Sequence, residues 1–119
     1  MTATATTARV ELFSDSASTA SWSPVCDWDL LVPGRGVAVL LPDGRQVAVF
    51  RDGGDRLYAT DNRDPFTGAY VLSRGLLGST PDGRVYVASP LLKQRFDLAT
   101  GECLDDESVR ITVHAARAA

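Results

Sequence analysis

Gln46-Val47-Ala48-Val49-Phe50-Arg51, then Asp52-Gly53-Gly54-Asp55, then Arg56-Leu57-Tyr58-Ala59-Thr60, is the stretch whose reading decides the fold. The first arm alternates polar with apolar residues, as a half-buried strand does, and the Gly pair turns it into a second strand. Upstream, Val37 to Leu41 reads as a buried strand, and Pro42-Asp43-Gly44 closes it into a hairpin with the first arm. Three strands therefore form a meander.

The pattern continues outward on both sides. Asp27 is placed to cap a short turn, Trp28 to Leu31, that Pro33-Gly34 ends. A loop runs from Asp61 to Gly68, and a short helical piece over Val71 to Arg74 stops at Gly75. Pro81-Asp82-Gly83 then turns the chain into Arg84 to Ala88, and Arg95 to Leu98 turns at Ala99-Thr100-Gly101. Ser108 to Val113 alternates cleanly and reads as a terminal strand. Short β segments with turn signals at roughly ten-residue spacing mark an all-β sandwich or barrel. The domain is expected over residues 22–119. Residues 1–21 are polar and small, with only Leu12 and Phe13 as adjacent large hydrophobes, and are expected to be a flexible N-terminal tail. Trp22, Trp28, Tyr58 and Phe50 are expected in the core.

Composition bounds the function. With 119 residues there is room for one domain, and 45% hydrophobic with 23% charged residues describes a soluble globular chain. Such a domain buries enough surface to fold without disulfides, metal or cofactor. The net charge is −3 and the 12 basic residues are scattered, which speaks against nucleic-acid binding. No basic region precedes an apolar run at the N-terminus, and apolar runs such as Val37 to Leu41 fall far short of the ~20 residues of a membrane span. A cytoplasmic location is expected, with Cys26 and Cys103 as free thiols.

Catalytic chemistry is narrowed by elimination. Cys26, Cys103 and His114 are not closely spaced, so a soft-metal site is disfavoured, and His114 is expected to be solvated. No nucleophile elbow accompanies that single histidine. Gly34-Arg35-Gly36 and Gly53-Gly54 lie in strand-to-strand turns rather than at a strand-to-helix phosphate cradle. Asp61 and Asp64 read as loop residues, with Asp64 before Pro65 in an Asx turn, and Asp105-Asp106-Glu107 reads as a solvated turn.

Two loops carry a resemblance. Leu57-Tyr58-Ala59-Thr60-Asp61-Asn62-Arg63-Asp64-Pro65-Phe66-Thr67-Gly68-Ala69 resembles the first cluster loop of Rieske ferredoxins, a strand followed by Cys-Pro-His and a Gly-Ala step. Val87-Ala88-Ser89-Pro90-Leu91-Leu92-Lys93-Gln94-Arg95-Phe96-Asp97-Leu98-Ala99-Thr100-Gly101 resembles the second, in which Cys-Pro-x-His-Gly runs into a Phe-Asp-Leu-x-Thr-Gly hairpin. The ligand positions hold Asp64 and Phe66 in one loop and Ser89 and Leu92 in the other. A Rieske centre needs two thiolates and two imidazoles, and the chain has one histidine. The expected fold is a Rieske-like antiparallel β-sandwich with two hairpin loops at a vestigial cluster tip, which Phe66 and Leu92 would close by apolar contact.

The combination of Asp61 to Phe66, Val71 to Gly75, Ala88 to Gln94 and Cys103 to Asp106 is similar to the small subunit of the assimilatory NAD(P)H-dependent nitrite reductase. That resemblance spans about Ser23 to Val113. It implies a large partner subunit carrying FAD, an iron-sulfur cluster and sirohaem, reducing nitrite to ammonium with six electrons, and an accessory role for this chain with no cofactor of its own. The alternative is a stand-alone cluster-free interaction or sensor module. Candidate partner-binding residues are Phe66, Tyr70, Arg74, Leu91, Leu92, Lys93, Gln94 and Arg95, an aromatic and aliphatic tip flanked by cations. Phe66 and Leu92 are equally readable as core caps, and Arg74 as a helix-end bond or a partner of Asp64.

Overall fold

The computed structural model describes residues 9–16 and 19–119. Within them the strands in chain order are β1 (Arg9–Ser16), β2 (Thr19–Asp27), β3 (Arg35–Leu40), β4 (Gln46–Arg51), β5 (Leu57–Asp61), β6 (Leu76–Ser79), β7 (Val85–Ala88), β8 (Arg95–Asp97), β9 (Val113–His114) and β10 (Ala116–Ala118). Short 3-10 helices cover Trp28–Leu30 and Leu72–Arg74. The sheets run β10-β1-β2, β3-β4-β5-β9 and β6-β7-β8, and every pairing is antiparallel. The chain is all-β, as its turn spacing predicts.

β4 is the axis of the packing. Val47, Ala48, Val49 and Phe50 are each 0% exposed, so the strand is buried on both faces rather than half-buried. Ala48 and Phe50 pack with Leu72, Val87, Phe96, Leu98, Cys103 and Ile111. Val47 and Val49 pack with Val10, Leu12, Leu31 and Ala59. Four consecutive apolar residues suit a strand covered on two sides, and burying each large one is worth roughly 1.5–3 kcal/mol. β3, which the sequence suggests is buried, is the edge of this sheet, with a half-buried pattern and Leu40 72% exposed.

Within the expected tail, Arg9–Ser16 and the residues from Thr19 onward form strands instead. β1 pairs with β2 and β10, and Val10 and Leu12 are buried against Val47, Val49 and Ala59. The alternating Val10 and Leu12 suffice because a sheet face waits for them, a partner that local composition does not reveal. Residues 1–8, 17 and 18 of the expected tail lie outside the described residues. Trp22 and Trp28 are half-buried rather than core: Arg117 lies 4.1 Å from the Trp22 ring centroid and Arg51 lies 4.2 Å from that of Trp28. Phe50 is core, and Tyr58 packs at its margin.

Two local readings also change. Asp27 precedes the Trp28–Leu30 helix but its side chain makes no cap bond. The Ser108 to Val113 strand is not continuous. Val109 N–H bonds Asp106 O, Ile111 N–H bonds Gly101 O, and only Val113–His114 and Ala116–Ala118 enter sheets. Here the chain serves the Phe50 cluster through Ile111, then β5, then β1, so one alternating sequence is divided among successive partners.

Candidate functional site

The loops after β5 and after β7 follow one hydrogen-bonding scheme. In the first, Phe66 N–H donates to Asp64 Oδ1 at 2.8 Å and Gly68 N–H donates to Asp64 O at 2.8 Å. In the second, Leu91 N–H makes a longer contact of 3.4 Å to Ser89 Oγ and Lys93 N–H donates to Ser89 O at 3.0 Å. Pro65 and Pro90 follow the anchoring residues, fixing φ where each loop leaves its strand. The corresponding closing residues, Gly68 (φ +79) and Lys93 (φ +65), both lie in the left-handed region.

The anchors meet each other. Ser89 Oγ donates to Asp64 Oδ2 at 2.5 Å, and the two residues are 1% and 0% exposed. The positions where the Rieske pattern places its two cysteines are thus joined by a buried hydrogen bond. This replaces the apolar closure expected from Phe66 and Leu92. Phe66 packs inward against Phe96, with centroids 6.2 Å apart, whereas Leu92 is 57% exposed. A hydroxyl facing a carboxylate satisfies both buried groups, and the tip needs no second apolar cap.

Asn62, which sequence reasoning did not single out, ties the first loop down. Its Oδ1 accepts from Ser73 N–H at 2.8 Å, and its Nδ2 donates to Gln46 Oε1 and Tyr70 O, both at 3.2 Å. The signal available was a polar amide directly after an apolar strand. Gly75 permits the next approach, because a Cβ there would stand 2.4 Å from Ala88 O. The Leu72–Arg74 helix is thereby held beside the root of the second loop.

The result is a shallow depression of about 350 Å³ lined by Arg74, Leu76, Ala88, Ser89, Pro90 and Lys93. Arg74, Leu76, Leu91, Leu92 and Lys93 are all exposed around it. Arg74 pairs with neither Asp64 nor any other described residue through its side chain. Of the remaining candidates, Tyr70 is exposed on the first loop and bridges Arg63. Gln94 holds the second loop through its carbonyl, which accepts from Ser89 N–H at 2.9 Å. Arg95 is committed within the domain, bonding Asp105 through Nε and Nη2, which raises its pKa and lowers that of Asp105. A larger polar depression of about 510 Å³ beside Arg63 and Tyr70 has its other charges paired, Arg45 to Asp43 and Asp61 to His114.

His114 is not solvated as expected. Its Nε2 lies 2.9 Å from Asp61 Oδ1 and its side chain is 12% exposed, because β9 pairs directly with β5. Cys26 and Cys103 are free thiols belonging to different apolar clusters. For a [2Fe-2S] centre the donor set does not fit. A phenyl ring and an isobutyl group stand at both imidazole positions, and the single histidine of the chain is bonded to Asp61 on a sheet. Among the described residues, no three His, Cys, Asp or Glu side chains converge as metal ligands.

The antiparallel sheets and the two paired tip loops define a Rieske-like domain, and the family model for the Rieske-like [2Fe-2S] domain matches residues 21–119. The nitrite reductase (NADH) small subunit of Salmonella typhimurium is 45% identical over 97 residues, 81% of this chain and 88% of its own length. A Mycobacterium tuberculosis crystal structure, assigned as an NADH-dependent nitrite reductase small subunit, superposes with a TM-score of 0.77 at 52% identity, covering 82% of this chain and 85% of that one. The nitrite reductase [NAD(P)H] large subunit of Klebsiella oxytoca is 44% identical over 91 residues, which are 75% of this chain but 9% of that protein. The chain belongs to the nitrite reductase NAD(P)H small-subunit family.

Proposed function

We propose that this chain is a redox-inactive accessory subunit that docks on a nitrite reductase large subunit and supports the six-electron reduction of nitrite to ammonium in nitrate assimilation in the cytoplasm. FAD, an iron-sulfur cluster and sirohaem belong to the large subunit in this reading, and electrons enter there from NADH or NADPH. This chain holds no cluster and is inactive alone. The observation that carries the proposal is the substitution of all four ligand positions, Asp64, Phe66, Ser89 and Leu92, in loops that keep one regular hydrogen-bonding scheme. A domain that keeps the loops and loses the donors is suited to binding rather than electron transfer. The Klebsiella relative supports the choice of partner, since its homologous segment lies within a much longer chain named as the large subunit.

The test is NADH- or NADPH-driven nitrite consumption by the large subunit, with and without this chain, at equal flavin and sirohaem occupancy. Addition of the chain should raise the rate or the stability of the large subunit, and the two should co-elute. Leu92→Asp, in a variant that still folds, should weaken the effect. No change in rate, stability or co-elution would remove the assignment and leave a stand-alone interaction module.

A further inference from the structure

Lys93 is the one lysine of the chain, and it closes the second tip loop at φ +65. The first loop fills the equivalent place with Gly68 at φ +79. The left-handed region costs a residue with a Cβ and a long side chain, whereas glycine enters it freely. The other described non-glycine residue at positive φ, Asp55, occupies a tight hairpin turn, where a short polar side chain tolerates that conformation. Among the described residues, no side-chain hydrogen bond or ion pair offsets that cost for the lysine. Its side chain is exposed and, like those of Arg35, Arg56, Arg63 and Arg74, forms no ion pair with a described residue.

We infer that Lys93 is a specificity-determining docking residue, held in a strained backbone so that its ammonium, with Arg74, engages carboxylates rimming an apolar patch on the large subunit. This deepens, and rests on, the docking role proposed above. Around the two cations lie Leu76, Leu91 and Leu92, exposed by 75%, 49% and 57%, and Pro90. An apolar centre with unpaired charge at its edge fits a complementary protein surface carrying the opposite sign. The large subunit is the occupant because the Klebsiella homologue carries the same domain within that subunit's chain.

The prediction has two signs. Lys93→Gly should raise the melting temperature by about 2–4 °C, through relief of the left-handed strain, and yet weaken binding to the purified large subunit about tenfold. Lys93→Arg should bind nearly as wild type, Lys93→Glu and Arg74→Glu more weakly than Lys93→Gly, and wild-type affinity should fall with added salt. Binding of Lys93→Gly equal to wild type, or no gain in its stability, would overturn the inference while leaving the docking role intact. Failure of the wild-type chain to bind would remove both. A wild-type dimer in sedimentation that Lys93→Gly dissociates, with binding to the large subunit unchanged, would assign the face to a second copy instead.

Discussion

Ser89 Oγ and Asp64 Oδ2 stand 2.5 Å apart in the buried tip, a single hydrogen bond holding together two loops that leave different sheets. Ser89→Ala should cost about 1–3 kcal/mol, because the Asp64 carboxylate loses a donor in a place water does not reach. Asp64→Ala also removes the bond from Phe66 N–H. The double variant should therefore be less destabilised than the sum of the two by at least ~0.5 kcal/mol, read from urea unfolding. Strict additivity would mean that the bond couples nothing.

Leu12→Ala should destabilise the domain by roughly 2–4 kcal/mol, the usual cost of emptying a buried leucine site. Leu12 is 3% exposed against the Val47 and Val49 face of β4. Thermal unfolding checks it, and a change near zero would restore the flexible tail that composition alone suggests.

Asp97 orders the hairpin after β8. Burial pushes its carboxyl pKa up, but hydrogen bonds from Arg84, Ala99 N–H and Thr100 N–H, with the charge of Arg84, outweigh this and hold it below the usual carboxylate range. A group whose folded pKa is lowered contributes stability above its unfolded pKa of ~3.9 and loses it as pH falls through the folded value. Asp97→Asn should thus destabilise by about 1–3 kcal/mol at pH 7. The gap to wild type should narrow below about pH 4 in denaturant titrations at several pH values.

The two thiols should differ in alkylation. Burial, then the neighbouring charge of Asp27, pushes the Cys26 pKa up, so at pH 8 it should react with iodoacetamide more slowly than a free thiol. Cys103 is 4% exposed within the Phe50 cluster and should react only on unfolding. Mass spectrometry of the modified chain over time separates the two, and rapid labelling of Cys103 would contradict its packing.

The two tip loops were legible as loops. The loops containing Asp64-Pro65 and Ser89-Pro90 announce themselves by motif, and Phe66 and Leu92 at imidazole positions show from side-chain chemistry alone that no Rieske centre can be ligated there. The bond between Asp64 and Ser89 was not legible, since it joins residues 25 positions apart and depends on how two sheets converge. Nor was the division of labour at the tip, where Phe66 turns to Phe96 and Leu92 stays outside.

By itself the sequence determined the all-β class, the strands over Gln46–Arg51, Leu57–Asp61, Val85–Ala88 and Arg95–Asp97 with the turns beside them, and the residue types in the two tip loops, because these depend on local periodicity and turn chemistry, whereas the strand at Leu76–Ser79 went unread. Only the tertiary structure decided that Val10 and Leu12 complete a core, that β4 is covered on both faces, that His114 pairs with Asp61, and that Lys93 bears a left-handed backbone. Each of these depends on what a residue meets across the fold or on the path its backbone is forced to take, and residues close in space but far apart in sequence leave no local signature.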